Sequence, residues 1–209
     1  MSNAVPRTAP PRPEGEVRRR TGSPRSLLAE LAEIGLLALG LYLVIQFAVQ
    51  TVHVIGLSMY PTLDNDDYLI ASKLDYRFHA PDRGDIIILQ SPIDESKDYI
   101  KRVIGLPGER LLIRDGHVYI NGQLLRENYL RHDEPWTINA NWPLDSSNGV
   151  VVPPNYYFVM GDNRNRSSDS RSFGPIRRDE IAEKAWLRVW PVTHAGPTNS
   201  RPQLQQAAA

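Results

Sequence analysis

Apolar side chains run almost unbroken from Ile34 to Val49, with Gln46 the only polar interruption and Glu30 and Glu33 at the front edge. As a helix, sixteen residues cover about 24 Å, and extension to Val54 or Ile55 reaches the ~30 Å of a bilayer core. The pattern therefore predicts a membrane-anchoring helix over residues 27–54. A cleaved secretory leader has a similar outline, but the run is longer than an ordinary leader core. It is followed by Gln50-Thr51-Val52-His53 rather than a small-x-small cleavage site.

Beyond Leu63 the periodicity shortens and the punctuation becomes that of a β-rich domain. Asn65-Asp66-Asp67 reads as a turn, Tyr68 to Ser72 as a short strand, and Pro81 to Asp85 as a turn delivering the buried run Ile86 to Leu89. Residues 109–125 predict a meander, with Asp115-Gly116 and Asn121-Gly122 at its two-residue turns. Residues 126–154 are irregular. Tyr156 to Met160 reads as a strand, Asp179 to Lys184 as a helical turn, and Ala185 to Trp190 as a last strand closed by Pro191. The expected organisation is a disordered basic arm (1–26), the anchor (27–54), a mainly β domain (55–192) and a flexible tail (193–209). No internal repeat is present.

Charge sharpens this picture. The chain of 209 residues is neutral overall, yet residues 1–26 hold six Arg against Glu14 and Glu16, a net of +4, which leaves −4 for the rest. No Lys or Arg falls between Arg25 and Lys73. Basic residues beside an apolar span favour the cytoplasmic side, which predicts a single-pass cell-membrane protein with a cytoplasmic N-terminus and the β-rich domain on the extracytoplasmic side. The absence of cysteine excludes a thiol nucleophile, a disulfide framework and Cys-ligated zinc. Five scattered histidines form no His-Glu-x-x-His pair, and no phosphate-binding or dinucleotide-binding glycine loop occurs. No cofactor, metal or nucleic-acid partner is expected.

Three polar segments carry the candidate chemistry. Ser58 follows the apolar run directly, Lys101 lies within Tyr99-Ile100-Lys101-Arg102-Val103-Ile104, and Gly161 to Gly174 is dense in short polar side chains. A serine becomes a nucleophile only when a base removes its proton, and a lysine is such a base only when neutral. Lowering a lysine pKa from about 10.4 to about 7–8 takes roughly 4 kcal/mol against the ammonium, which burial can supply. On a strand, Lys101 points with Tyr99 and Val103 while Arg102 points to the opposite face. Each segment also has a simpler reading: a turn opened by Ser58 before Pro61, a surface lysine on an amphipathic strand, and a solvated polar loop.

Ser58-Met59-Tyr60-Pro61-Thr62-Leu63, Arg83-Gly84-Asp85-Ile86-Ile87-Ile88, Tyr99 through Glu109, and Gly161-Asp162-Asn163 through Ser167, Asp169-Ser170-Arg171 and Gly174 together resemble, in order, the motif boxes of bacterial type I signal peptidase. The resemblance implies an all-β catalytic domain standing on the membrane and a Ser–Lys dyad in which Ser58 attacks the scissile carbonyl and Lys101 is the general base. Ser167 is similar to the family serine that orients the lysine amine, and Asp162, Arg102, Asp169 and Arg171 match charged positions that brace the site. The Ser58 backbone N–H would donate to the oxyanion. Gly56 stands where some members carry a hydroxyl residue that adds a second donor. The implied substrates are exported preproteins cut after small residues in an Ala-x-Ala pattern, with the phospholipid bilayer as the other partner. An extended substrate would add as a strand beside the Ile86–Leu89 or Ser58 edge, with Met59, Leu63, Ile86, Tyr99 and Ile100 as pocket candidates. Trp136, Trp142, Trp186 and Trp190 fit either the headgroup zone or core and rim packing.

Three alternatives remain. One is a specialised Ser–Lys maturation peptidase or a relative of self-cleaving repressors. Another is a non-catalytic membrane-tethered β-domain that binds envelope proteins. The third is a Ser–His–Asp hydrolase using His53 or His79. The membrane anchor and the lack of a helix-turn-helix in the leader count against a soluble regulator, and no histidine lies in a matching box.

Overall fold

The computed structural model describes residues 24–94, 96–131, 134–143, 148–198 and 201–205. Residues 1–23 of the expected basic arm lie outside them. The chain divides into two units, residues 1–43 and 44–209.

The first unit is most of helix α1 (Pro24–Ala48), whose apolar stretch Leu27–Ala48 has a mean hydropathy of 2.0 and is exposed along its length. The helix ends at Ala48, short of the expected residue 54. The reason lies in Val49-Gln50-Thr51-Val52-His53, where β-branched residues favour an extended backbone. That segment forms strand β1 (Val49–His53), which pairs in register with β2 (Tyr68–Ser72). Twenty-two helical residues still cover about 33 Å.

The second unit is two sheets. The larger runs β1, β2, β11 (Ile181–Trp190), β3 (Ile86–Gln90), β4 (Asp98–Gly105), β9 (Tyr156–Met160) and β10 (Ile176–Arg177), with β12 (Gly196–Pro197) added to β11. The smaller runs β13 (Gln203–Leu204), β7 (Gln123–Arg126), β6 (His117–Ile120), β5 (Arg110–Arg114) and β8 (Val150–Val151). The meander is β5–β6–β7. Asp115 and Asn121 take φ of 49° and 52° in its turns, each followed by a glycine in the same left-handed region, as two-residue hairpins require.

Three corrections follow. The helical turn expected over Asp179–Lys184 is a 3₁₀ turn, Arg178–Glu180, because Ile181, Glu183 and Ala185 alternate inward and pair with β3. Within the tail expected to be loose, β12 pairs with β11, β13 pairs with β7, and the Thr198 hydroxyl donates to the Ala185 carbonyl at 2.9 Å. The Ile86–Leu89 strand offers no edge, because β11 covers one side and β4 the other.

β3 and β4 run through the middle of the larger sheet. Ile86 and Ile88 pack with Met59, Leu63, Leu69 and Ala185 in one cluster, while Ile87 and Leu89 pack with Val103, Val159 and Ile181 in another. Further along, Ile104 joins the core built by Leu111, Ile113, Val118, Ile120 and Phe158. Trp136 and Trp142 pack against that core, whereas Trp186 and Trp190 are exposed.

Candidate active site

β3 pairs with β4 from Asp98 to Arg102, but β9 begins to pair with it only at Arg102. Among the described residues no strand pairs with the other edge of β4 from Asp98 to Lys101, and Lys101 sits where that open edge stops. Alternation sets the two neighbours apart, as expected from the sequence: the Lys101 Nζ lies 4.9 Å from the Tyr99 ring centroid, whereas Arg102 turns into the opposite interior.

Ser58 is brought to the open edge by the turn that follows Val54. Val54 N donates to the Asp67 carbonyl at 2.8 Å, and Met59 and Leu63 anchor the segment in the core with 1% exposure each. The Lys101 Nζ then stands 3.0 Å from Ser58 Oγ and 3.0 Å from the Ile100 carbonyl. Burial drives the Lys101 pKa down to about 8, the nearby carboxylates Asp169 and Asp162 offsetting only part of the cost of desolvation. The pair is a hydroxyl facing an amine of which about a tenth is neutral at pH 7 and half at about pH 8.

The polar segment forms the third wall. Asn163 N donates to the Ser58 carbonyl at 3.0 Å. Gly161 allows that approach: a Cβ there would stand 2.2 Å from Ser167 Oγ and 2.4 Å from the Ser58 carbonyl oxygen. Ser167 Oγ is buried without a hydrogen-bond partner among the described residues, so the expected bond from it to the lysine amine is not made here. Asp169 accepts from Gly161 N at 3.0 Å and forms a two-pronged pair with Arg171, both contacts at 2.8 Å. Asp162 likewise grips Arg102, at 2.8 and 2.6 Å, and accepts from the Thr62 hydroxyl at 2.5 Å. Both pairs are almost wholly removed from solvent. The four charged residues thus brace the loop, the β4 strand and the segment after Ser58 against one another without touching Ser58 Oγ.

Sequence reasoning missed several members of this frame. Glu127 at the end of β7 ion-pairs with buried Arg164 and accepts from the Tyr129 hydroxyl at 2.6 Å, and the Tyr129 ring lies 4.0 Å from the Arg102 guanidinium. Arg83 bonds the Ile104 carbonyl and Glu109. Asp85 accepts from Tyr76 at 3.1 Å and pairs with Lys184 at 3.0 Å. Charges this deeply buried are signalled in sequence only by lying near apolar strand runs, and their partners are remote in the chain.

A cavity of about 650 Å³ opens at the dyad, lined by Val52 to Met59 on one side and Ser96 to Lys101 on the other, with Arg166 and Ser168 at its end. Of the expected pocket residues, Met59, Tyr99 and Ile100 line it. Leu63 and Ile86 do not; they lie in the core beneath with at most 1% exposure. Gly56 sits at φ 95° and donates its N–H to Asn65 Oδ1 at 2.7 Å, a backbone conformation that disfavours any residue with a side chain.

The family model described as signal peptidase, peptidase S26, matches residues 28–190. The chain is 36% identical over 209 residues to "Signal peptidase I" of Leptolyngbya laminosa, covering 95% of each chain. It is 38% identical over 156 residues to "Probable signal peptidase I-2" of Synechocystis sp., covering 72% of this chain and 67% of the relative. A solved signal peptidase I from Enterococcus faecalis aligns at 38% identity with a TM-score of 0.41, over 49% of this chain and 94% of that one.

Proposed function

The chain belongs to the signal peptidase family, peptidase S26, and on that basis we propose that it removes signal peptides from exported preproteins with a Ser58–Lys101 dyad, cutting after small residues while anchored in the membrane by α1. It is a serine peptidase, and the family supports signal-peptide removal as its activity. The observation that carries the dyad is the 3.0 Å contact between Lys101 Nζ and Ser58 Oγ, with the amine pKa held down to about 8 by burial.

The chemistry follows from those two atoms. Neutral Lys101 takes the proton from Ser58 Oγ as the oxygen attacks the scissile carbonyl, and the Ser58 N–H donates to the oxyanion. The ammonium returns the proton to the departing amine, leaving the signal peptide esterified to Ser58. Lys101 then deprotonates a water that releases the acid and regenerates the hydroxyl. Asp162, Arg102, Asp169 and Arg171 hold this geometry through their buried ion pairs, and Ser167 packs against Gly161 beside it. The substrate joins β4 as an added strand along the unpaired Asp98–Lys101 edge rather than beside β3, which supplies main-chain hydrogen bonds in the cavity. Met59, Tyr99 and Ile100 face its small side chains, the basis for the Ala-x-Ala preference.

An α1 that spans the bilayer keeps the enzyme in the plane where a signal peptide is held, which raises its effective concentration. The arginine bias of residues 1–26 orients the N-terminus to the cytoplasm. Protease added outside sealed cells is then expected to reach residues 58–190, and protection of that region would reverse the orientation.

The deciding experiment is cleavage of a preprotein by the wild type, Ser58→Ala, Lys101→Met and Lys101→Arg across a range of pH. All three variants are expected to be inactive, the arginine because it keeps the charge and gives up no proton in this range. The wild-type rate is expected to rise with pH through an apparent pKa of about 8. A Lys101→Met enzyme that still cuts would make the lysine structural.

A further inference from the structure

The substrate of a peptidase extends on both sides of the bond that breaks, and the cavity along β4 accounts for only one of them. A second cavity, of about 500 Å³, takes up where the first stops. The two have no lining residue in common but draw on adjacent positions of the same two segments. Ser58 and Met59 line the first and Tyr60 the second, while Arg166 and Ser168 line the first and Asn163, Arg164 and Asn165 the second. The partition between them is stitched by the Asn163 N to Ser58 O bond.

This second space is enclosed in part by the polar loop that braces the dyad, at Asp162 and Asn163, and otherwise mostly by parts of the chain outside the dyad's frame. Its floor includes Leu124, Leu125 and Trp136, and its rim is formed by exposed residues of the stretch after β7. The walls are fixed. The buried Glu127–Arg164 pair ties β7 to the polar loop, and Asn165 Oδ1 accepts from the N–H groups of Thr137 and Ile138 at 2.9 and 3.1 Å. Arg131 holds its guanidinium 5.5 Å from the Tyr60 ring centroid at the entrance. The volume falls in the range of about 300–1,000 Å³ typical of ligand pockets. A peptide advances about 3.3 Å per residue when extended, so the second or third residue past the cut reaches a wall that begins two residues from the nucleophile.

We infer that this second cavity is the binding site for the first residues of the mature chain, on the leaving side of the scissile bond, with Tyr60 and Arg131 at its entrance. The inference rests on the peptidase reading above. Binding energy from residues that do not react is available to orient the scissile carbonyl against Ser58, so substrate truncated after the cut loses turnover as well as affinity.

The test uses the full chain in detergent and two peptides with the same signal-peptide segment, one ending one residue past the cut as an amide and one continuing for five. The readout is the ratio of kcat/KM, longer over shorter. The wild type is expected to favour the longer peptide by about tenfold. Asn128→Trp and Leu130→Trp, which fill the cavity from its lining, are expected to bring the ratio close to one. Asn128 is exposed between buried Glu127 and Tyr129, so the filling side chain enters without disturbing the buried pair. Equal rates for the two peptides in the wild type overturn the inference, even should a filled variant fail to fold. So does a ratio that both filled variants leave intact, which would put the mature chain elsewhere. If the wild type cuts neither these peptides nor an intact preprotein, it is the peptidase reading that fails, and this site falls with it.

Discussion

Lys101 is a residue whose usefulness and whose cost have the same origin. Burial that leaves its amine able to accept a proton also penalises the ammonium in the folded state, lowering the pKa from 10.5 to about 8. Below about 8 the folded protein bears the whole penalty, about 3 kcal/mol. Between about 8 and 10.5 the unfolded chain still holds a proton the folded chain has released, so stability from this group rises with pH across that window. Lys101→Met is therefore expected to be more stable than the wild type at pH 7, by up to that amount, with the gap closing towards pH 10. Denaturant unfolding of both proteins at several pH values measures it, and a gap that does not vary with pH would remove the desolvated amine from the account. Gly161 shows a different kind of constraint. Gly161→Ala sets a methyl against the Ser58 carbonyl and Ser167, and backbone cannot yield as a flexible side chain can. At least a hundredfold loss of kcat/KM is expected, since displacement of the nucleophile by about 1 Å costs that much. Ser58 and Lys101, the proposed dyad, stand out in sequence because each sits in its own motif, whereas the reason for Gly161 emerges only when Ser58 and Ser167, far apart in sequence, close on it from either side.

At the scale of elements, legibility followed local pattern. The β5–β6–β7 meander reads directly, because its turns carry Asp-Gly and Asn-Gly where the backbone must enter the left-handed region. β8, β10, β12 and β13 span two residues each and have no periodicity to read; they exist because a longer neighbour offers hydrogen bonds. β1 was lost inside the apolar run, since hydrophobicity alone does not distinguish Val49–His53 from one more turn of helix, and the pairing with β2 decides it. The buried charges were visible as residues but not as pairs. Arg102 on β4 and Asp162 after β9 join two neighbouring strands to the turn carrying Thr62. Asp162→Ala strands a wholly buried guanidinium and is expected to destabilise by about 3–5 kcal/mol. Thr62→Val removes only a hydroxyl from the same cluster, for a loss of about 1 kcal/mol. Unfolding midpoints of the two variants side by side test this order, and equal losses would show that Arg102 finds other partners.

For the whole molecule, the apolar helix and the β domain make separate demands that one reaction joins. α1 exposes Leu36, Leu37, Leu39 and Leu41 to a similar degree, and its hydrophobicity is spread around the helix rather than gathered on one face, as a lipid-surrounded span requires. The apolar helix was legible in sequence because it needs no partner to be recognised; the proposed cytoplasmic placement of its flank rests on arginine count alone. A charged residue at the centre of such a helix costs about 2.5–3.5 kcal/mol on insertion. Leu37→Arg together with Leu41→Arg is thus expected to move the chain from the membrane fraction to the supernatant after alkaline extraction. The consequence for activity separates anchoring from catalysis. A released enzyme keeps its dyad, so kcat/KM on a soluble peptide should stay within about twofold of the wild type. Cleavage of a preprotein embedded in vesicles should fall by about 10²-fold or more, the advantage of confining both partners to one surface. If both substrates lose equally, the helix supports the fold of the β domain. If neither loses, the bilayer contributes nothing to the encounter.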